Sequence, residues 1–134
     1  MKGNLIMNSY LNTEQIEALE VYIEYNKKLI NSINMLLLEL REQRKDDTDE
    51  FQKKIIEGLN WEIQILNGTL SLINQKEERI NKNEVNQQVL KLGEALKTGK
   101  DKEIADSFEK YILPEFTKIE EIIQAVLNEQ KVEA

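Results

Sequence analysis

The chain has no cysteine and no histidine, and only one proline and one tryptophan, among its 134 residues. Without cysteine there are no disulfides, no thiolate nucleophile and none of the zinc sites built on thiolate ligands. Without histidine there is no phosphohistidine relay, no Ser-His or Cys-His nucleophile pair, no Glu-x-x-His di-iron motif and no imidazole-bound metal. Long apolar runs are missing too. The longest, Met35 to Leu38, falls far short of the roughly 20 residues of a membrane span, so no membrane partner is expected. Residues 1–8 carry one lysine and no apolar stretch of about seven residues, so no signal peptide is read there and a cytoplasmic location is expected. Gly58, Gly68, Gly93 and Gly99 stand alone, which excludes a glycine-rich phosphate loop. Acidic residues outnumber basic ones by 25 to 18, and a net charge of -7 repels phosphate backbones, so nucleic acid is not expected as a partner.

What the chain has in abundance is helical periodicity. Ile16, Leu19, Ile23, Asn26, Ile30, Ile33, Leu37 and Leu40 follow steps of three and four, all large aliphatics except Asn26. A helix over about 12–45 is predicted, with Asn12 and Gln15 as a capping box and Arg41, Arg44 and Lys45 at its C-terminal end. Asp46 to Glu50 reads as a turn, with Asp47 and Glu50 as a second capping box opening a helix over about 47–81. That helix carries two stripes, Ile56-Leu59-Ile63-Leu66-Leu70-Ile73-Ile80 and Phe51-Ile55-Gly58-Trp61-Ile65-Gly68-Leu72, and should therefore touch two neighbours. Gly58 and Gly68 on the second stripe suggest close approach of another helix or room for a bulky side chain. The Asn-rich stretch 80–84 reads as a turn, followed by a short helix over about 84–98 that Gly99 stops. A last helix over about 101–131, capped by Asp101, has the stripe Ile104, Phe108, Ile112, Phe116, Ile119, Ile123 and Val126. Pro114 inside it removes a backbone donor and predicts a kink near Lys110 to Pro114.

The predicted architecture is all-α, one domain over 1–134, an up-and-down four-helix bundle with a short third helix and a proline-kinked fourth. Helices one, two and four would span roughly 45–50 Å and the third only about 24 Å. Part of the bundle is then left with an uncovered groove.

The segment 99–116 resembles a pattern in uncharacterised helical proteins of bacilli and clostridia, in which a Gly-Asp turn precedes an Ala-Asp pair, an acidic and aromatic stretch and a proline. Gly99, Asp101, Ala105, Asp106, Glu109 and Pro114 are the matching positions. That resemblance implies the helical fold and no activity. In its overall properties the chain is similar to flagellar export chaperones, which hold the terminal helices of secreted filament proteins on helical faces.

Candidate chemistry is sparse. Asp46, Asp47, Asp49 and Glu50 lack the spacing of a calcium loop and read as helix-capping acids, so no metal is expected. Glu77-Glu78 and Glu120-Glu121 read as solvated edges, because adjacent helical residues diverge. Asn26, on the main seam, is expected to be buried against a polar group of the last helix or a water. Tyr22, Tyr25, Trp61, Tyr111 and Phe116 are the candidate partner-binding residues, since aromatics with a polar tip are enriched at interfaces. The function expected is a non-enzymatic interaction module, an adaptor or chaperone offering a helical groove to another protein's helix or to a second copy in a homodimer. No cofactor is expected. The alternative is a small-ligand-binding or enzymatic bundle with an internal polar pocket, which requires acids, Asn26 and tyrosine hydroxyls to converge.

Overall fold

Each apolar stripe becomes a helix, and the stripes meet. The computed structural model describes residues 2–133, with side chains described for 12–131. It forms an all-α four-helix bundle: α1 (Lys2–Arg41), α2 (Thr48–Ile73), α3 (Lys82–Thr98), and a fourth helix built from α4 (Asp101–Ser107), a π-helical turn (Phe108–Ile112) and α5 (Leu113–Glu133). Among the described residues no helix is long and apolar enough to cross a membrane.

The first helix is the spine. Leu19, Tyr22, Ile23, Asn26, Leu29, Ile33, Leu36 and Leu40 are buried, while Ile16, Ile30 and Leu37 are only half-buried. The buried line is thus rotated from the expected seam, because α1 is covered on two sides, by α2 and by the fourth helix. The helix runs through Asn12, so no cap forms there. Gln15 instead donates to the Gly68 carbonyl at 3.2 Å and the Ser71 hydroxyl at 3.0 Å. Simple pairing through a turn at Asp46 would have set Gln15 against Glu77, about two helical turns away. The register differs from that simple pairing, and α1 stops at Arg41, four residues before the expected end near Lys45.

Asp47 precedes α2 without capping it through its side chain. The buried Thr48 does the local work: its hydroxyl accepts from Lys45 N–H at 2.8 Å and donates to Glu39 at 2.8 Å. The second helix ends at Ile73, not near residue 81. Asn74 turns the chain, its side-chain oxygen accepting from the N–H groups of Arg79 and Ile80 and its amide donating to the Ile80 carbonyl. Asn side chains compete with helical hydrogen bonds in this way. Ile80 still reaches the core, from a loop. Asn81 caps α3 by accepting from Glu84 N–H, and Gly99 closes it at φ 66°, a conformation that favours glycine.

Three consecutive four-residue steps link Ile104, Phe108, Ile112 and Phe116, all buried. Each step overshoots a 3.6-residue turn by 0.4 residue, so three accumulate an excess of about one residue. The π-helical turn absorbs that excess. Leu113 N–H bonds the Phe108 carbonyl five residues back, and Pro114 follows where no donor is needed. At Lys110 to Pro114, where a proline kink is expected, the helix carries this π-helical turn.

Arginines tie the ends together. Arg41 bonds Asp106 at 2.9 Å and Glu109 at 2.6 Å, and Arg44 grips Asp101 with two nitrogens at 2.9 and 3.0 Å and Asp49 at 2.9 Å. Asp101 is thus an ion-pair partner and not a cap. Arg79 joins the 74–81 turn to Glu129 at 2.7 Å. Asp101, Asp106 and Glu109 of the segment 99–116 belong to this clamp, and Ala105 is fully buried.

Because packing of the three four-residue steps requires the π-helical turn, Pro114→Ala is expected to leave it in place and to change stability by no more than about 1 kcal/mol. A crystal structure and denaturant unfolding of the variant check this. A regular α-helix through 108–112 would show that proline alone imposes the turn.

Candidate functional site

Tyr22 and Asn26, four residues apart, share the face of α1 that looks into the bundle. Asn26 Nδ2 donates to the Phe116 carbonyl and to Glu120 Oε1, both at 3.1 Å. The carbonyl has a second lone pair and accepts this bond in addition to its helical one. Asn26 is fully buried, and Glu120 is half-buried against it and is not a solvated edge. From α2, Glu62 enters the same node, and it too is fully buried. Tyrosine hydroxyl, amide and two carboxyls from three helices thus converge at mid-bundle.

Glu62 was not singled out by its sequence position. It lies between the two apolar stripes of α2, and the buried line Ile55, Gly58, Leu59, Glu62, Leu66, Thr69, Leu72 and Ile73 runs through it. The Tyr22 hydroxyl lies beside the Glu62 carboxyl. Yet the hydroxyl, both Glu62 oxygens and Asn26 Oδ1 complete no hydrogen bond of good geometry. An ionised carboxylate there would be costly. Burial pushes the Glu62 pKa up to about 8, the neighbouring Glu120 charge adds to the rise, and Tyr22 opposes it. Burial, reinforced by Glu62, drives the Tyr22 hydroxyl far above its ordinary range. Protonation gives Glu62 a hydrogen to share with Tyr22 or Asn26, which the ionised node lacks. With Tyr22, Asn26 and Glu62 closed to solvent, the chemistry available to Glu62 is proton binding. Among the described residues no group of three or more acids is placed to hold a metal ion.

The five aromatic candidates separate. Tyr22 at 0% exposure and Phe116 at 1% are core, where a partner does not reach them, because their apolar bodies fill the contact between α1 and the fourth helix. Tyr25 and Trp61 are each 36% exposed, with ring centroids 4.9 Å apart in an edge-to-face arrangement. Gly58 makes that placement possible, since a Cβ there would collide with the Tyr25 hydroxyl. Tyr111 is half-buried on a groove of about 720 Å³ between α3 and the fourth helix, with Lys91 Nζ 4.4 Å and Lys110 Nζ 5.4 Å from its ring centroid. Glu94, Glu103 and Asp106 also line this groove, as does Ser107, whose hydroxyl is buried without a partner. The structure therefore brings Tyr25 and Trp61 together, sets Tyr111 apart on another face, and joins Tyr22 to Asn26.

The chain belongs to a protein family defined by a domain of unknown function, DUF8042, whose family model matches residues 17–122. The match takes in the polar node, the aromatic pair and the ion pairs of Arg41 and Arg44. Neither a curated protein nor a solved structure matches the chain.

Folded, Glu62 keeps its proton up to about pH 8, whereas the unfolded chain releases it near the ordinary 4.5. Stability from this group is complete below about pH 4.5 and is lost as the pH rises through 8. Arg44, Arg41 and Arg79 hold Asp101, Asp106 and Glu129 respectively below their ordinary values, so those carboxylates contribute their full share above about pH 5. Between pH 5 and 8 unfolding free energy should fall, and Glu62→Gln should flatten that slope and exceed the parent at pH 8 by on the order of 3 kcal/mol. Urea unfolding across this range checks it; parallel profiles for the two proteins would refute it.

Proposed function

We propose that the chain is a non-enzymatic interaction module, an adaptor or chaperone that holds a partner helix on the outer face of α1 and α2. The observation that carries this reading is the Tyr25–Trp61 pair, which leaves two large aromatics partly open to solvent next to Val21 at 55% exposure. Exposed aromatic clusters of this kind are the usual anchors of protein contacts, since they bury large area with little side-chain entropy loss. The face is built on two helices locked by the core behind it, so it is preorganised for docking. This reading places the protein's work in the cytoplasm, with a partner helix supplied by another protein.

The groove beside α3 favours a second reading, small-ligand binding. Its volume lies in the range of ligand pockets, and the unpartnered Ser107 hydroxyl with Tyr111 supplies polar groups. The internal node, by contrast, is closed.

Affinity capture from the native organism with the parent, Trp61→Ala and Tyr111→Ala distinguishes the two. The docking reading expects a protein captured by the parent and by Tyr111→Ala and lost, by tenfold or more, with Trp61→Ala. Both variants should unfold within about 1 kcal/mol of the parent, as these rings are partly exposed. Capture indifferent to Trp61 would overturn the reading.

A further inference from the structure

Adjacent to the aromatic pair, a cleft of about 250 Å³ opens between α1 and α2. Tyr25 forms one wall, Leu29, Phe51 and Ile55 give an apolar floor, and Lys28 and Lys54 flank it. A cavity of about 150 Å³ accommodates a benzene ring, so the cleft has room for one leucine or phenylalanine side chain. Its charge is opposite to that of the molecule. The chain as a whole is at -7, yet the only charged groups lining this cleft are lysines. They are also uncommitted: Arg41, Arg44 and Arg79 all sit in ion pairs, whereas among the described residues neither Lys28 nor Lys54 has a carboxylate partner. Apolar floor, aromatic wall and two free ammonium groups form a complementary surface for a helix that inserts an aliphatic knob and carries acids on either side of it.

We propose that this cleft is the docking site of an acidic amphipathic helix from another protein, with an aliphatic or aromatic knob seated between Tyr25, Leu29, Phe51 and Ile55 and carboxylates paired to Lys28 and Lys54. The inference rests on the docking reading above and adds the partner's chemistry. A basic helix is repelled by the two lysines at the cleft, and the contact of the Tyr25 ring with Gly58 keeps the cleft's wall in place without the partner.

The sole tryptophan lies at the cleft's edge and reports occupancy. The probes are three amphipathic helical peptides of about 18 residues, some five turns, with one Leu/Ala apolar face and Glu, Gln or Lys on the polar face. Titrated into the full chain, the Glu peptide should shift Trp61 emission to the blue and saturate, with affinity falling as salt is raised. The Lys peptide should not bind. The double variant Lys28→Glu, Lys54→Glu, whose fold is checked by circular dichroism, should lose the Glu peptide by about tenfold or more and gain the Lys peptide. Equal binding of all three peptides by the parent would overturn the acidic-partner inference while leaving the docking face standing. Failure of every peptide to move Trp61 emission would overturn both. A parent that binds anionic phosphatidylglycerol vesicles through the same lysines and ignores the Glu peptide, or one whose Trp61 is already covered in a dimer seen by sedimentation, would replace the proposed partner with a membrane or a second copy.

Discussion

Among the described residues Glu62 has no cation to meet. The arginines that could have balanced a buried acid are engaged at the two ends of the bundle, Arg41 and Arg44 at one and Arg79 at the other. The middle, where α1, α2 and α5 come together, is left to a proton. A neutral carboxyl beside Tyr22 and Asn26 is compatible with the apolar surroundings, whereas an ionised one beside Glu120 is not. Between about pH 5 and 8 the bundle therefore has a pH-dependent centre, whereas the ion pairs at its ends change only at lower pH, and α2 lies along α1 in the register that sets Glu62 beside Tyr22.

That register has consequences on the outer surface. With Tyr22 turned inward, Tyr25 lies at the rim of the same helix, over the bare backbone of Gly58 and against Trp61. One helical turn of α1 thus contributes both to the buried node and to the exposed aromatic face. The exposed face is therefore held by the core directly beneath it, and the cleft between Tyr25 and Phe51 is a feature of how α1 and α2 are locked, not of loop conformation.

Much of the fold was legible in the chain. Apolar spacing gave four helices, Gly99 marked a helix end through its need for positive φ, and Asn26 on an aliphatic seam pointed to a polar contact with the last helix. The four-residue steps from Ile104 to Phe116 carried the signal of a π-helical turn, although Pro114 draws attention first. Other features were not legible. A lone Glu in a helical repeat reads as solvent-facing, and Glu62 is buried because it lies between the two stripes of α2, on the line that packs into the bundle, while Trp61 and Gly68 of one stripe stay exposed. Helix ends at Arg41 and Ile73 depend on Thr48 and Asn74, whose side chains compete with helix continuation in a way that spacing does not reveal. Tyr22 and Tyr25 look alike in sequence; a three-residue step turns one into the core and leaves the other at the rim.

The account turns on a carboxyl that is neutral when folded, and the most direct test is to titrate it. With the side-chain carboxyl carbon of glutamate labelled and the Glu62 resonance assigned through Glu62→Gln, carbon-13 NMR of the folded protein should show Glu62 changing charge near pH 8, far above the ordinary 4.5. A midpoint near 4.5, with the fold intact on both sides of it, would mean that the node tolerates the ion and that the proton does not organise the centre of the bundle.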